Sequence, residues 1–183
     1  REDVDPKRIA AIGHSLGGLM GSMLAIQHPE DVGRLMIVES LPFFGAAFGA
    51  KDPDALAPQA IAMRNMVLTQ TQDDYAKSEA AFLHSLVKSP DGYRLATNWA
   101  IASDKSVVAR AMYEDMTTDL RPQLGKIKTP VTILYAWDSA SGFPRAATDQ
   151  LDQESYAALP NKKIVRIEDS FHFIMLDQAE KFD

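Results

Sequence analysis

The chain has 183 residues, of which 46% are hydrophobic, 24% charged and 8% aromatic, and its formal net charge is −6. That composition suits one globular domain rather than a disordered tail, and a domain of this size buries about 70% of its unfolded surface. No run reaches the ~20 apolar residues of a membrane span, and no basic block invites a nucleic acid. The lack of cysteine excludes disulfides, thiol nucleophiles and thiolate metal sites, and leaves the compartment, cytoplasmic or exported, unassigned.

Position 1 is Arg rather than Met, and no signal peptide is visible. The expectation is that the native N-terminus is absent, or that the chain is a piece of something longer.

Arg8 to Gly13 is a short apolar run ending in glycine and reads as a buried strand. Leu16 to Gln27 reads as a helix with apolar residues all round its axis, which predicts extensive burial. His28-Pro29 ends it. Arg34 to Glu39 is a second buried strand. Gly45 to Asp54 connects to a block with helical periodicity through Thr118, in which Ser89-Pro90 reads as an N-cap followed by proline at the first helical position. Strands return at Val131–Tyr135 and Ile164–Ile167, separated by a helix over 148–159 and followed by one over 173–182. Strands alternating with helices in this way predict an α/β fold with a parallel sheet of about four strands.

Gly13-His14-Ser15-Leu16-Gly17 fits Gly-x-Ser-x-Gly between a strand and a helix. A strand-to-helix elbow pushes the serine oxygen above the sheet, beside a helix N-terminus that favours developing negative charge. The bland alternative is a tight turn with a capping serine. Serine needs a base. Of the four histidines, His14 is expected to point away from the serine into the core, and His28 and His84 to be structural. His172 follows the last strand, at the carboxyl end where such sheets carry their sites. The base needs an acid to fix its tautomer. Asp138 follows the strand Val131–Tyr135 and is preferred, because Ser15, Asp138, His172 is the order of this elbow class. Glu39, ending the preceding strand, is the rival, and Asp169 is a weaker candidate.

Three segments carry a family resemblance: 8–18 (RIAAIGHSLGG), 119–134 (DLRPQLGKIKTPVTIL) and 172–182 (HFIMLDQAEKF). With them the chain resembles α/β-hydrolases that bear a helical cap, of the esterase and aminopeptidase-like type. The resemblance implies a partial α/β-hydrolase fold: core over 1–44, cap over 45–118 and core again over 119–183. It also implies Ser15 as nucleophile, Asp138 as acid, His172 as base and the Leu16 N–H as an oxyanion donor.

Where the family has glycine after the acid-bearing strand, this chain has Ala136-Trp137. The family's strands before the nucleophile strand, with their second oxyanion donor, have no counterpart here. The expected function is therefore a serine hydrolase cleaving a carboxylic ester or related acyl bond through an acyl-enzyme. The alternative is a non-catalytic or split carboxyl-terminal half working as a subunit or binding module. In either form Arg8–Gly13 is expected to be covered by a second copy, a rearranged segment of the same chain or a separate N-terminal polypeptide, with a homo-oligomer preferred.

Met63, Met66, Phe82, Trp99, Met112 and Met116 form a soft apolar set for a substrate pocket, although most are expected to be the cap's own core. No acidic cluster stands out to receive a substrate amine, so ester substrates are preferred to those of aminopeptidases. No histidine pair has metal-ligand spacing, and the elbow lacks the Gly-x-Gly-x-x-Gly of a dinucleotide site. Neither metal nor cofactor is expected.

Overall fold

In the computed structural model, which describes Asp5 and residues 9–182, the strands β1 (Ala10–His14), β2 (Arg34–Val38), β3 (Val131–Trp137) and β4 (Lys162–Glu168) form one sheet. They lie side by side in chain order and all run parallel. The run Leu-Met-Ile-Val in β2 is apolar at every position because the strand is interior and meets packed layers on both faces. One face gathers Leu35, Ile37, Val131 and Ile133 with Ala25, Tyr156 and Leu159. The other gathers Val38, Leu134 and Ile167 with Ile174. The sheet therefore brings the carboxyl ends of all four strands to one rim.

Helix α1 (Leu16–Gln27) follows β1 directly. Its all-round apolar character predicted extensive burial, but only Gly18, Leu19, Ser22 and Ala25 are buried. Met20 stays 60% exposed and Leu24 40%. Ile12 of β1, in register with Met36 of β2, is 62% exposed. Among the described strands β1 pairs only with β2, so this rim of the sheet keeps apolar side chains in solvent. Arg8, the expected start of this strand, lies outside the described residues.

Between β2 and β3 the chain makes a helical insertion: α2 (Pro53–Thr69), α3 (Gln72–Leu83), α4 (Pro90–Ala102) and α5 (Lys105–Thr117). Each helix starts on a side chain that accepts from its first-turn amides: Asp52, Thr71, Ser89 and Asp104. Such caps contribute about 1 kcal/mol apiece. The segment expected as an irregular connection contains a 3-10 turn, Phe44–Phe48, ending on Gly49 at φ 72°.

Helix α6 covers Arg145–Ser155, several residues earlier than predicted, because Pro144 starts it and the chain turns at Tyr156. The last predicted helix is two short pieces, α7 (Ile174–Asp177) and α8 (Ala179–Phe182), broken at Gln178.

Candidate active site

Ser15 sits between β1 and α1 at φ 53°, ψ −124°, a left-handed backbone that a serine rarely adopts. Its N–H is tied to Val38 O at 2.9 Å. The elbow is tight for a measurable reason. A Cβ on Gly13 would lie 2.1 Å from Gly17 O, and one on Gly18 would lie 2.6 Å from Ser40 Cβ. Gly17 differs, because a Cβ there meets nothing within 4 Å. Leu16 opens α1, so its N–H has no intrahelical acceptor and is free to face an anion.

Non-glycine residues with positive φ occur at three described positions: Ser15, Glu39 (48°) and Asp169 (63°). All three follow a strand at the same rim of the sheet, and such strain clusters at functional sites. Glu39 carries the consequence. Its Oε1 accepts from the Ala136 N–H at 2.5 Å, and its Oε2 lies 3.1 Å from His172 Nδ1. A carboxylate only accepts, so Nδ1 is the donor and Nε2 is left as the basic nitrogen. The pair is about four-fifths buried, with side-chain exposures of 22% for His172 and 20% for Glu39.

Asp138, the acid favoured from sequence order, is engaged elsewhere. Its Oδ2 takes the Lys88 ammonium at 2.5 Å, and its Oδ1 takes the Ala140 N–H at 2.7 Å. Those two donors, Lys88 first, hold its carboxyl below the usual range. The carboxylate that meets the His172 ring is that of Glu39. The physical reason is backbone direction: positive φ turns Glu39 across the end of β3, while Asp138 caps its own turn, Ser139–Ser141, and anchors the helical insertion. Asp169, the weaker candidate, gives its carbonyl to Gln178 and its N–H to Trp137 O.

The histidine loop is clamped from below. Asp177 accepts the N–H groups of Lys88, Ser89 and Phe171, joining the start of α4 to the residue before His172. His14 does not enter the core as expected. Its Nε2 bonds the His172 carbonyl at 2.9 Å, and its ring packs against His172 and Phe173. Burial, and then His172, push its imidazole down to about 4. His14 is thus neutral near pH 7 and steadies the loop that holds His172. His84 stacks on Tyr93, and His28 pairs with Glu30 on the surface. His28, Glu30 and Asp31 bring three ligand atoms within 4.8 Å, a grouping that a search for histidine pairs alone overlooks; all three are exposed.

Two cavities meet at Ser15 and His172. The smaller, about 320 Å3, lies against the insertion and includes His14, Phe82, Trp99 and Phe173. The larger, about 580 Å3, runs between Glu39, the turn Phe44–Phe48, Trp137 and α6. Of the soft apolar set, Phe82 and Trp99 line the smaller cavity. Met63 and Met116 pack inside the insertion with Phe43 and Leu56, Met112 packs against Val67 and Tyr75, and Met66 is half exposed. No acidic wall is legible in the sequence, yet Glu39, Asp115, Asp138 and Asp152 all line the larger cavity. Burial pushes Asp152 up to about 8 and Asp115 up to about 6.

A strained serine elbow at the carboxyl rim of a parallel α/β sheet, with histidine on the loop after the last strand, is the arrangement of one enzyme superfamily. The chain belongs to the alpha/beta hydrolase fold family, whose model matches residues 1–179. It is 29% identical over 177 residues to the pimeloyl-[acyl-carrier protein] methyl ester esterase of Neisseria meningitidis, covering 93% of this chain and 65% of that protein. Among solved structures it is similar to a hydrolase from Pseudomonas aeruginosa, with TM-score 0.71 and 22% identity over 93% of this chain and 60% of that one. It is also similar to the enol-lactonase of Burkholderia xenovorans, with TM-score 0.68 and 22% identity over 93% of this chain and 61% of that one. The chain therefore spans less than two thirds of the length of each of these three relatives.

Proposed function

We propose that the chain carries the catalytic centre of a serine hydrolase that cleaves a carboxylic ester, with Ser15 as nucleophile, His172 as base and Glu39 as the acid. The observation that carries this reading is the Glu39–His172 pair at the rim that holds the strained Ser15. Ser15 Oγ attacks the carbonyl carbon and His172 Nε2 takes its proton. The oxyanion is received by the Leu16 N–H at the start of α1. As the C–O bond breaks, His172 returns the proton to the leaving alcohol. Water, deprotonated by the same nitrogen, then releases the acid from Ser15. Glu39 holds the imidazole in the Nδ1–H form and stabilises the imidazolium. The insertion α2–α5 acts as a cap over the smaller cavity, anchored through Lys88–Asp138 and Asp177. The esterase name of the Neisseria relative supports the ester class.

The experiment is hydrolysis of p-nitrophenyl acetate and butyrate by the wild type and by Ser15→Ala. The wild type is expected to turn over and the variant to fall to background; equal rates would remove Ser15 from the mechanism.

A second reading, in which the chain works only when joined by another polypeptide, is favoured by the exposed Ile12, Met20 and Leu24 around β1. We propose that a second copy covers that rim.

A further inference from the structure

We propose that the larger cavity, which Asp152 and Asp115 both line, seats a protonated amine of the substrate, received by Asp152. On the hydrolase reading above, on which this rests, the substrate is an ester that also carries an aliphatic ammonium group.

Four carboxylates reach this cavity from four parts of the fold: Glu39 after β2, Asp138 after β3, Asp152 on α6 and Asp115 on α5. No lysine or arginine lines it among the described residues. Two of the four are already used. Glu39 is satisfied by Ala136 and His172, and Asp138 by Lys88 and Ala140. Asp115 and Asp152 accept no hydrogen bond from any described side chain or amide.

Asp152 is the more telling of the two. It is 5% exposed, on the buried side of α6, and it lines the cavity. Tyr156, one turn on, gives its hydroxyl to Ser40 O at 2.7 Å instead. The Asp152 carboxyl opens only on the cavity, and a carboxylate so shielded from bulk water is costly to keep charged unless a cation pairs with it. Burial, with Glu39 and Asp149 adding like charge, favours the protonated form while the cavity holds no cation. An ammonium brought beside it supplies both the counter-charge and the missing donors.

The rest of the wall suits an organic cation better than a metal ion. Phe44, Trp137 and Phe171 line the same space. Aromatic faces attract ammonium groups and shelter an alkyl chain, whereas calcium wants six to eight oxygens around it. The cavity, about 580 Å3, is in the range of small-molecule sites. A carboxylate-bearing acyl group would meet like charge in it.

Isothermal titration calorimetry at pH 7 tests the proposal with n-hexylammonium, n-hexanol and hexanoate, which share the chain and differ in charge. The ammonium is expected to bind at least tenfold more tightly than either. Asp152→Asn is expected to lose tenfold or more of that affinity while melting no lower than wild type. Asp115→Asn, at the cavity's other unpartnered carboxyl, gives a second reading if the first variant expresses poorly. Equal binding of hexanol or hexanoate, wild-type amine affinity in both variants, or stoichiometric calcium binding that displaces the amine would each overturn it. Because the readout is binding, the two readings fail separately. Amine binding without ester turnover sinks the hydrolase reading, and ester turnover without amine preference sinks this one.

Discussion

Replacing Glu39 with Gln separates the two candidate acids more sharply than removing either one. The carboxylate of Glu39 satisfies two donors at once, the Ala136 N–H through Oε1 and His172 Nδ1 through Oε2. Glutamine has one acceptor oxygen and one NH2. The Ala136 amide is fixed in β3 and cannot become an acceptor, so it claims the oxygen. The NH2 then faces Nδ1 and forces the ring into its Nε2–H form, which cannot take a proton from Ser15. The same swap at a triad acid of a serine protease lowers kcat by about 10^4, and we expect a loss of about 10^3 to 10^4 here. In Asp138→Asn the loss is the ion pair with Lys88, which does not touch the His172 ring, so the rate falls less than about tenfold. The assay is kcat/KM on p-nitrophenyl butyrate, with circular dichroism to show that both variants fold. An Asp138→Asn loss larger than that of Glu39→Gln would refute the assignment of the acid.

Gly13→Ala should prevent stable folding or cost several kcal/mol, since its methyl would overlap Gly17 O, whereas Gly17→Ala should be neutral or stabilise by up to about 1 kcal/mol; chemical denaturation ranks them. Asp177→Ala strips three backbone donors of their acceptor and should cost about 3 kcal/mol or more, with a fall in kcat as the histidine loop loosens; melting and kinetics measured together would expose a purely local effect. Asp152 is raised from 3.8 to about 8, so between those values the folded chain holds a proton that the unfolded chain lacks, and stability should fall as pH rises from about 4 to 8. Asp152→Asn should flatten that decline, most visibly as a higher melting temperature at pH 8 than the wild type's; an unchanged pH profile would show the carboxyl to be ionised at little cost. Sedimentation at micromolar concentration should give a species heavier than the 20.1 kDa chain, and Ile12→Lys should shift it toward monomer; a compact wild-type monomer would contradict the proposed second copy.

The strand–elbow–helix order was legible because it is written in contiguous residues. Apolar runs, glycines at 13, 17 and 18, and prolines at helix starts each act locally. What was not legible depends on directions and on distant partners. Glu39 and Asp138 both end strands, and nothing in their neighbours announces that Glu39 adopts φ 48° and turns across β3. Nor does the sequence tell that Lys88, fifty positions away, claims Asp138. The acidic cavity is assembled from positions 39, 115, 138 and 152, too far apart to read as a cluster. Helix α1 shows the converse error. Periodicity reports which faces are apolar, not which of them another layer covers, so it does not reveal that Met20 and Leu24 stay exposed. Gly13 and Gly17 stand alike in the motif, and only the space around each position separates them.

The central claim is that Ser15 is a nucleophile activated by the Glu39–His172 pair. A fluorophosphonate probe reports this without any assumption about substrate, because it reacts covalently with an activated serine. Intact-mass measurement followed by peptide mapping should find one adduct per chain, on Ser15, absent in Ser15→Ala and greatly slowed in Glu39→Gln but not in Asp138→Asn. No adduct on the folded wild-type chain, or an adduct on another serine such as Ser40, would contradict it.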